Sequence, residues 1–276
     1  MDTFLTPDRV RRLAACFFVM LLAVGCASVP DASDPDAAAE MREVNDPAEP
    51  LNRSIFEFNR TLDKAVLKPV ATVYRDVVPV PVQDGLHNLL ANLRAPIIIF
   101  NDLLQGELNR ALTTLTRFVF NSTLGIAGLA DVATEFGLER HDEDFGQTMA
   151  VWGIGEGPYI MLPVFGPSNP RDTAGIIVDF LIDPFNAWAA NTDREFAPLA
   201  RAGMQAVDLR SNNLDLLDDL EKSSLDFYAA IRSLYRQRRS GEISNGKGSA
   251  NFPAPGLGLA PEIPEPEDVQ EISGLP

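Results

Sequence analysis

Only two cysteines, two histidines and two tryptophans occur among the 276 residues. Both cysteines, Cys16 and Cys26, lie in the first 26 positions, so the rest of the chain has no disulfide framework and must hold together by packing. With only His87 and His141, and no G-x-S-x-G elbow, the usual signature of a serine hydrolase is missing. The glycines show no Walker spacing followed by Lys, which excludes a nucleotide-driven step of that kind. Beyond the first 26 positions no apolar run reaches the roughly 18 residues of a spanning helix. No period of about 20–50 residues recurs, which argues against a solenoid. Basic residues are in deficit, 23 against 39 acidic, for a formal net charge of −16. Such a surface is repelled by nucleic acid and by anionic headgroups, so no nucleic-acid partner is expected.

What is present begins at the N-terminus. Arg9, Arg11 and Arg12 precede an apolar run from Leu13 to Val24 that closes on Ala23-Val24-Gly25-Cys26. A basic region, a run of about 12 apolar residues and small residues at its end mark a secretory leader, here residues 1–25. Small residues directly before Cys26 resemble a bacterial lipobox, in which the cysteine is diacylated, freed by cleavage and acylated on its amine. Ala27, in place of Asp, favours sorting to the outer membrane. Losing the leader's three Arg and two Asp, a net of +1, takes the mature charge to −17. Attachment to a membrane then falls to acyl chains and apolar surface, and several acyl chains anchor stably where one does not.

Residues 26–44, rich in Ala, Asp, Ser and Pro, read as a lipidated flexible tether, and 241–276 as a disordered acidic tail. Residues 45–240 are patterned as helices. Leu51, Ile55, Phe58, Leu62 and Val66 form one stripe, and Leu86, Leu89, Leu90 and Leu93 a second between Pro81 and Pro96. A third helix is predicted from about Pro96 to Gln105, ending at Gly106, and a fourth carries Leu108, Leu112, Leu115 and Val119. Ser168-Asn169-Pro170 opens a helix to about Ile182, and longer helices are predicted over 194–210 and 213–238. Asp102 and Asp179 interrupt or flank the most apolar segments. Patterning alone favours a buried all-α core; the alternative is helices lying in the membrane interface with apolar faces outward.

The centre, residues 144–172, is rich in glycine. Gly153, Gly155 and Gly157 alternate before Pro158, and the stretch from Tyr159 to Phe165, broken by Pro163 and ending at Gly166, is unusually apolar for a loop. Such a segment is expected to be a bend or hinge without regular structure. A mobile apolar loop suits a gate over a lipid path; a buried turn under helices is equally compatible.

This block resembles the central segment of the MlaA (VacJ) family of outer-membrane lipoproteins, and three further blocks match in the family's order. They are Asp46-Pro47-x-Glu49-Pro50-x-Asn52-Arg53-x-x-Phe56-x-Phe58-Asn59; Asn92-Leu93-x-x-Pro96 leading to Asn101-x-Leu103-Leu104-Gln105-Gly106; and Arg117-Phe118-x-x-Asn121-x-x-x-Gly125-x-x-Gly128-x-x-Asp131. The resemblance covers about residues 45–185 and implies a compact, ring-like all-α protein of amphipathic, partly interfacial helices in the periplasm-facing leaflet of the outer membrane. It turns the balance from a buried core to interfacial helices. It further implies a passive channel, not an enzyme, that removes mislocalised phospholipid from the outer leaflet and maintains lipid asymmetry. The implied partners are a trimeric porin, a periplasmic MlaC-like carrier and, indirectly, an inner-membrane ABC complex. No cofactor is implied beyond the acyl lipid on Cys26, with phospholipid as the transported ligand. Gly153, Gly155, Gly157, Pro158, Tyr159, Pro163 and Gly166 are the candidate gate or hinge, and Asn52, Phe56, Phe58 and Asn59 its support on the first helix.

Two other functions fit some residues. An envelope hydrolase would use His141-Asp142-Glu143-Asp144 as metal ligands, although a solvated acidic loop is the expected state of that run. A structural lipoprotein or scaffold would work through its tail, where Val269, Ile272 and Leu275 form a possible docking motif.

Overall fold

The computed structural model describes residues 45–245. Cys26, the tether and the Val269–Leu275 motif lie outside them. Helix α1 (Glu49–Leu62) passes through a π-turn (Asp63–Leu67) into α2 (Lys68–Val77). It is followed by α3 (Val80–Gln105), α4 (Leu108–Thr123), α5 (Val132–Glu135) and α6 (Phe145–Val151). A hairpin of β1 (Ile160–Leu162) and β2 (Gly166–Ser168) leads to α7 (Pro170–Ile182) and α8 (Pro184–Asn191). Helices α9 (Phe196–Asn212), α10 (Leu214–Ser223) and α11 (Phe227–Ile243) complete the described chain. No described helix is long and apolar enough to cross a membrane. The class is all-α, as the periodicity predicts.

Four local expectations are corrected. Pro96 does not end a helix: α3 runs through it for 26 residues. Its missing N–H costs one backbone bond, which packing against α4, α6 and α9 on the flanking turns offsets. The expected helix over 213–238 is two helices, because Asp226 accepts the Ala229 N–H at 3.2 Å and caps a new start. The glycine-rich centre is not wholly irregular. Strand β1 pairs antiparallel with β2, Ile160 opposite Ser168 and Leu162 opposite Gly166. Finally, α11 continues to Ile243, three residues into the segment expected as tail.

The packing inverts the usual distribution of polarity. Among the described residues 21 polar or charged side chains are buried against 13 hydrophobic ones, while 36 large hydrophobics are exposed. Leu51, Phe58, Leu62 and Val66, four of the five residues in the first stripe, face outward, and Val70, Val73 and Val77 continue it along α2. Leu108, Leu112, Leu115 and Val119 form a second outward stripe on α4. A contiguous apolar surface on this scale marks contact with a membrane or a partner. The opposite side of α1 and α2 is held by charge: Arg60 and Lys64 pair with Glu221, Lys68 with Asp218 and Arg75 with Asp215, so α10 lies antiparallel along them. The π-turn aims Asp63 inward, where Arg210 of α9 donates to both carboxylate oxygens at 2.8 and 3.1 Å.

The remaining helices pack in a circuit: α3 on α6, α6 on α7, α7 on α8, α8 on α9, and α9 back on α3. Its tightest crossing is at Gly146 and Gly175, where a Cβ on Gly175 would lie 2.4 Å from the Gly146 nitrogen. Glycine is required there because the backbones themselves are in contact.

Candidate functional site

The circuit encloses a cavity of about 360 Å³. Four helices of the circuit contribute to its wall, among them Ile97 of α3, Asp179 of α7, Asn186 of α8 and Arg201 of α9, and α6 reaches it through its capping residue Asp144. The wall mixes apolar surface with a set of paired charges. Arg239 of α11 donates to both oxygens of Asp144 at 2.6 and 2.7 Å and pairs with Asp172 at 2.8 Å. Burial would raise the Asp144 carboxyl, but the hydrogen bonds and charge of Arg239 and the Gln147 N–H outweigh it and hold it at about 2. Tyr235 Oη donates to Asp172 at 2.6 Å, and burial together with that bond pushes the phenol up. Arg201 closes the set by donating to Asp183 at 2.6 Å.

A second cavity, of about 380 Å³, lies between α3, α4 and α9 and is lined by His87, Arg94, Arg117, Arg140, His141 and Asp208, among others. Arg140 can only donate, so at 3.0 Å the His87 Nε2 accepts, and His87 Nδ1–H donates to Asp208 at 2.7 Å. Arg117 is anchored by Asp131 at 2.7 Å and by the Leu138 carbonyl.

The run His141-Asp142-Glu143-Asp144 is not a solvated acidic loop. Glu143 is 1% exposed and accepts from Arg110 at 2.7 Å and from Gln105 at 2.8 Å. Burial raises its carboxyl despite those bonds. His141 Nε2 meets Asp102 at 2.9 Å, Asp142 pairs with Arg94 at 3.2 Å, and Asp144 goes to Arg239. Four sequence neighbours thus turn to four separate partners. Among the described residues no group of His, Cys, Asp and Glu is arranged to hold a metal. Thr114, His141 and Asp102 are close, but Thr114 Oγ1 and Asp102 approach the same ring nitrogen. A relay from hydroxyl through the ring to carboxylate needs both nitrogens.

The first-helix residues divide between two sides. Asn52 is buried: its Nδ2 donates to Asp46 at 2.7 Å and to the Tyr159 carbonyl at 3.1 Å, and its Oδ1 accepts the Met161 N–H at 2.9 Å. Asn59 Nδ2 donates to the Leu162 carbonyl at 2.9 Å, and its Oδ1 accepts the Val164 N–H at 2.7 Å. Phe56 packs edge-on against Phe227 and Tyr228 in the small apolar core, whereas Phe58 is exposed on the outward stripe.

In the glycine-rich segment, Gly153, Gly157 and Gly166 adopt positive φ, at 87°, 74° and 83°. Gly153 and Gly155 have nothing near a would-be Cβ, and Gly157 abuts Pro170. Pro158 leads into Tyr159, which is 3% exposed among the rings of Tyr228 and Tyr235, and Pro163 lies in the turn between the strands. Beyond it, Val164 and Phe165 are exposed by 68% and 74%. The segment is therefore anchored at its aromatic base and bare at its tip.

The sequence does not assign the wall residues Arg94, Asp179, Arg201, Tyr235 and Arg239 to a common site. The available signal was a single Asp inside an apolar helix, Asp179 within Ala174 to Ile182, which has to face a polar interior.

The chain is similar to known proteins in sequence and in fold. Residues 44–242 match the family described as MlaA lipoprotein. The Escherichia coli "Intermembrane phospholipid transport system lipoprotein MlaA" is 34% identical over 239 residues, covering 85% of this chain and 89% of that one. The Haemophilus influenzae protein of the same name is 32% identical, covering 81% and 86%. An uncharacterised Rickettsia bellii protein is 36% identical over 215 residues, covering 78% and 82%. A solved structure described as "Structural basis for maintenance of bacterial outer membrane lipid asymmetry" superposes with a TM-score of 0.65 at 34% identity, covering 72% of this chain and 98% of that one. The chain belongs to the MlaA lipoprotein family.

Proposed function

We propose that this chain is an outer-membrane lipoprotein, anchored through Cys26 in the periplasm-facing leaflet, that lets misplaced phospholipid leave the outer leaflet through the helical ring. The inverted polarity carries the reading: apolar stripes face outward while the ring encloses a charged cavity. Exposing the roughly 30 methylenes of a diacyl lipid to water costs roughly 20–25 kcal/mol at ~0.8 kcal/mol each. A route that keeps the tails against apolar faces and passes the headgroup by the charged residues of the cavity removes most of that barrier. The cavity volume lies at the low end of the roughly 300–1,000 Å³ of small-molecule sites, a size for a headgroup.

In this reading the chain is a passive conduit and performs no catalysis. The Gly153–Gly166 segment gates the route: its left-handed glycines supply hinges and its bare Val164–Phe165 tip moves at the lipid boundary. Asn52 and Asn59 hold the gate to α1. A trimeric porin positions the ring, an MlaC-like soluble carrier receives the lipid, and an inner-membrane ABC complex sets the direction. Outer-leaflet phospholipid is the decisive measurement. A strain lacking the protein is expected to accumulate it, and Cys26→Ala is expected not to restore the normal level. No excess in the deletion strain would overturn the transport reading. Photocrosslinkers placed at residues 153–166 are expected to capture phospholipid, and unchanged flux in a Gly153→Pro variant would remove the gate assignment.

A further inference from the structure

Arg94 and Gln205 each line both cavities, so this pair, one from α3 and one from α9, is the partition between the ring cavity and its neighbour. On the ring side stands Asp179 of α7, half-buried. It accepts from Asn101 Nδ2 at 3.1 Å and from the Phe145 N–H at 3.1 Å, both neutral donors. The other carboxylates on that wall are paired with arginine: Asp144 and Asp172 with Arg239, Asp183 with Arg201. Desolvation raises the Asp179 carboxyl, and the charge of Arg94, near enough to act on it, pulls the other way. Arg94 itself is engaged through Nε by Asp142 at 3.2 Å, a carboxylate more than half exposed on the far side of the partition.

From this juxtaposition we propose that Arg94 and Asp179 read a zwitterionic headgroup at the neck between the cavities, Arg94 taking the phosphodiester and Asp179 a primary ammonium. The inference rests on the conduit reading above and adds a substrate class, ethanolamine-type phospholipids, with the residues that hold it. A guanidinium fork presents parallel donors to a phosphodiester, and Asp142 meets Arg94 at Nε. An ammonium supplies Asp179 with the cation that its neutral partners do not. Phosphatidylglycerol satisfies Arg94 equally well but leaves Asp179 without a counter-charge, so it is held less tightly.

The test uses the full lipidated protein in vesicles containing phosphatidylethanolamine or phosphatidylglycerol with a diazirine near the headgroup. Labelled lipid is quantified by mass spectrometry. Wild type is expected to label with both and several-fold more with phosphatidylethanolamine. Asp179→Asn is expected to erase the preference while keeping phosphatidylglycerol labelling. Arg94→Gln is expected to lower both by about tenfold, the scale of one charge-assisted hydrogen bond, with Arg94→Lys restoring part of the loss. Asp142→Asn breaks the same ion pair but spares the guanidinium. A merely structural role for Arg94 requires this variant to fall as far as Arg94→Gln; the headgroup role requires labelling at or above wild type. No labelling of wild type by either lipid would overturn the conduit reading together with this inference. Full labelling with no preference, or an unaffected Arg94→Gln, would overturn this inference alone. Loss of labelling on adding equimolar glycerophosphoethanolamine would place a free phosphate ester at the neck and also overturn the lipid assignment.

Discussion

Asn52 and Asn59, seven residues apart on α1, grip β1 and its turn in the same way. Each amide donates to one carbonyl and accepts the N–H two residues later, Tyr159 and Met161 for Asn52, Leu162 and Val164 for Asn59. The spacings agree because seven helical residues rise about 10.5 Å and three strand residues about 10 Å. One helix edge thereby replaces the missing third strand of a two-stranded hairpin, which alone is marginal in water.

The two contacts differ in burial, and the expected effects differ with them. Asn52→Ala strands the Tyr159 carbonyl and the Met161 N–H in the core, a loss of roughly 2–3 kcal/mol. Asn59→Ala exposes its partners to water and costs roughly 1 kcal/mol or less. Denaturant titration in detergent gives the stabilities, and amide exchange locates the loss at Met161 or Val164. Equal destabilisation by both would remove the distinction between a buried base and a solvated tip.

How far these features were legible depends on what periodicity measures. The stripe from Leu51 through Val66 gave the helix, but a period of 3.6 carries no sign: it identifies an apolar face without saying what that face touches. The resemblance, not the spacing, pointed outward. Gly106 as a helix stop and Asn169 as a cap were legible because each acts on its own turn, Asn169 accepting the Asp172 N–H at 2.8 Å. The run 141–144 was not, since its side chains are engaged by Asp102, Arg94, Arg110 and Arg239, partners 33–95 residues away for the four closest contacts. The Asp226 cap was missed because the apolar residues around it keep helical spacing across the break.

Arg239 bridges Asp144 and Asp172, and because Asp172 keeps Arg171 at 3.0 Å, Arg239→Met leaves Asp144 as the uncompensated buried carboxylate and is expected to cost roughly 3–5 kcal/mol. Acid should release the same linkage. The Asp144 carboxyl sits at about 2 when folded, below its ordinary value near 3.9, so its contribution is complete above about pH 4 and is lost as pH falls through about 2. The shift corresponds to roughly 2 kcal/mol. The stability gap between wild type and Asp144→Asn, measured by denaturation at a series of pH values, is expected to narrow by about that amount between pH 4 and 2. A gap independent of pH would mean that Asp144 acts through shape alone.

The outward stripe on α2 offers the sharpest check of the inverted packing. Val70 and Val73 are 47% and 61% exposed, so replacing either by Asp removes little from the folded interior. Surface changes of that kind fall within about 0.5 kcal/mol. In an apolar phase the same change loses roughly 1.5 kcal/mol or more of valine transfer and adds the much larger penalty of a carboxylate. The unlipidated Cys26→Ala chain isolates this term, because no acyl group holds it to the bilayer. With vesicles of neutral phospholipid, that chain is expected to float, and its Val70→Asp or Val73→Asp versions are expected to stay largely in the soluble fraction with unchanged helicity. Flotation equal to that of the parent chain would place the stripe in water and remove the physical basis for an interfacial ring.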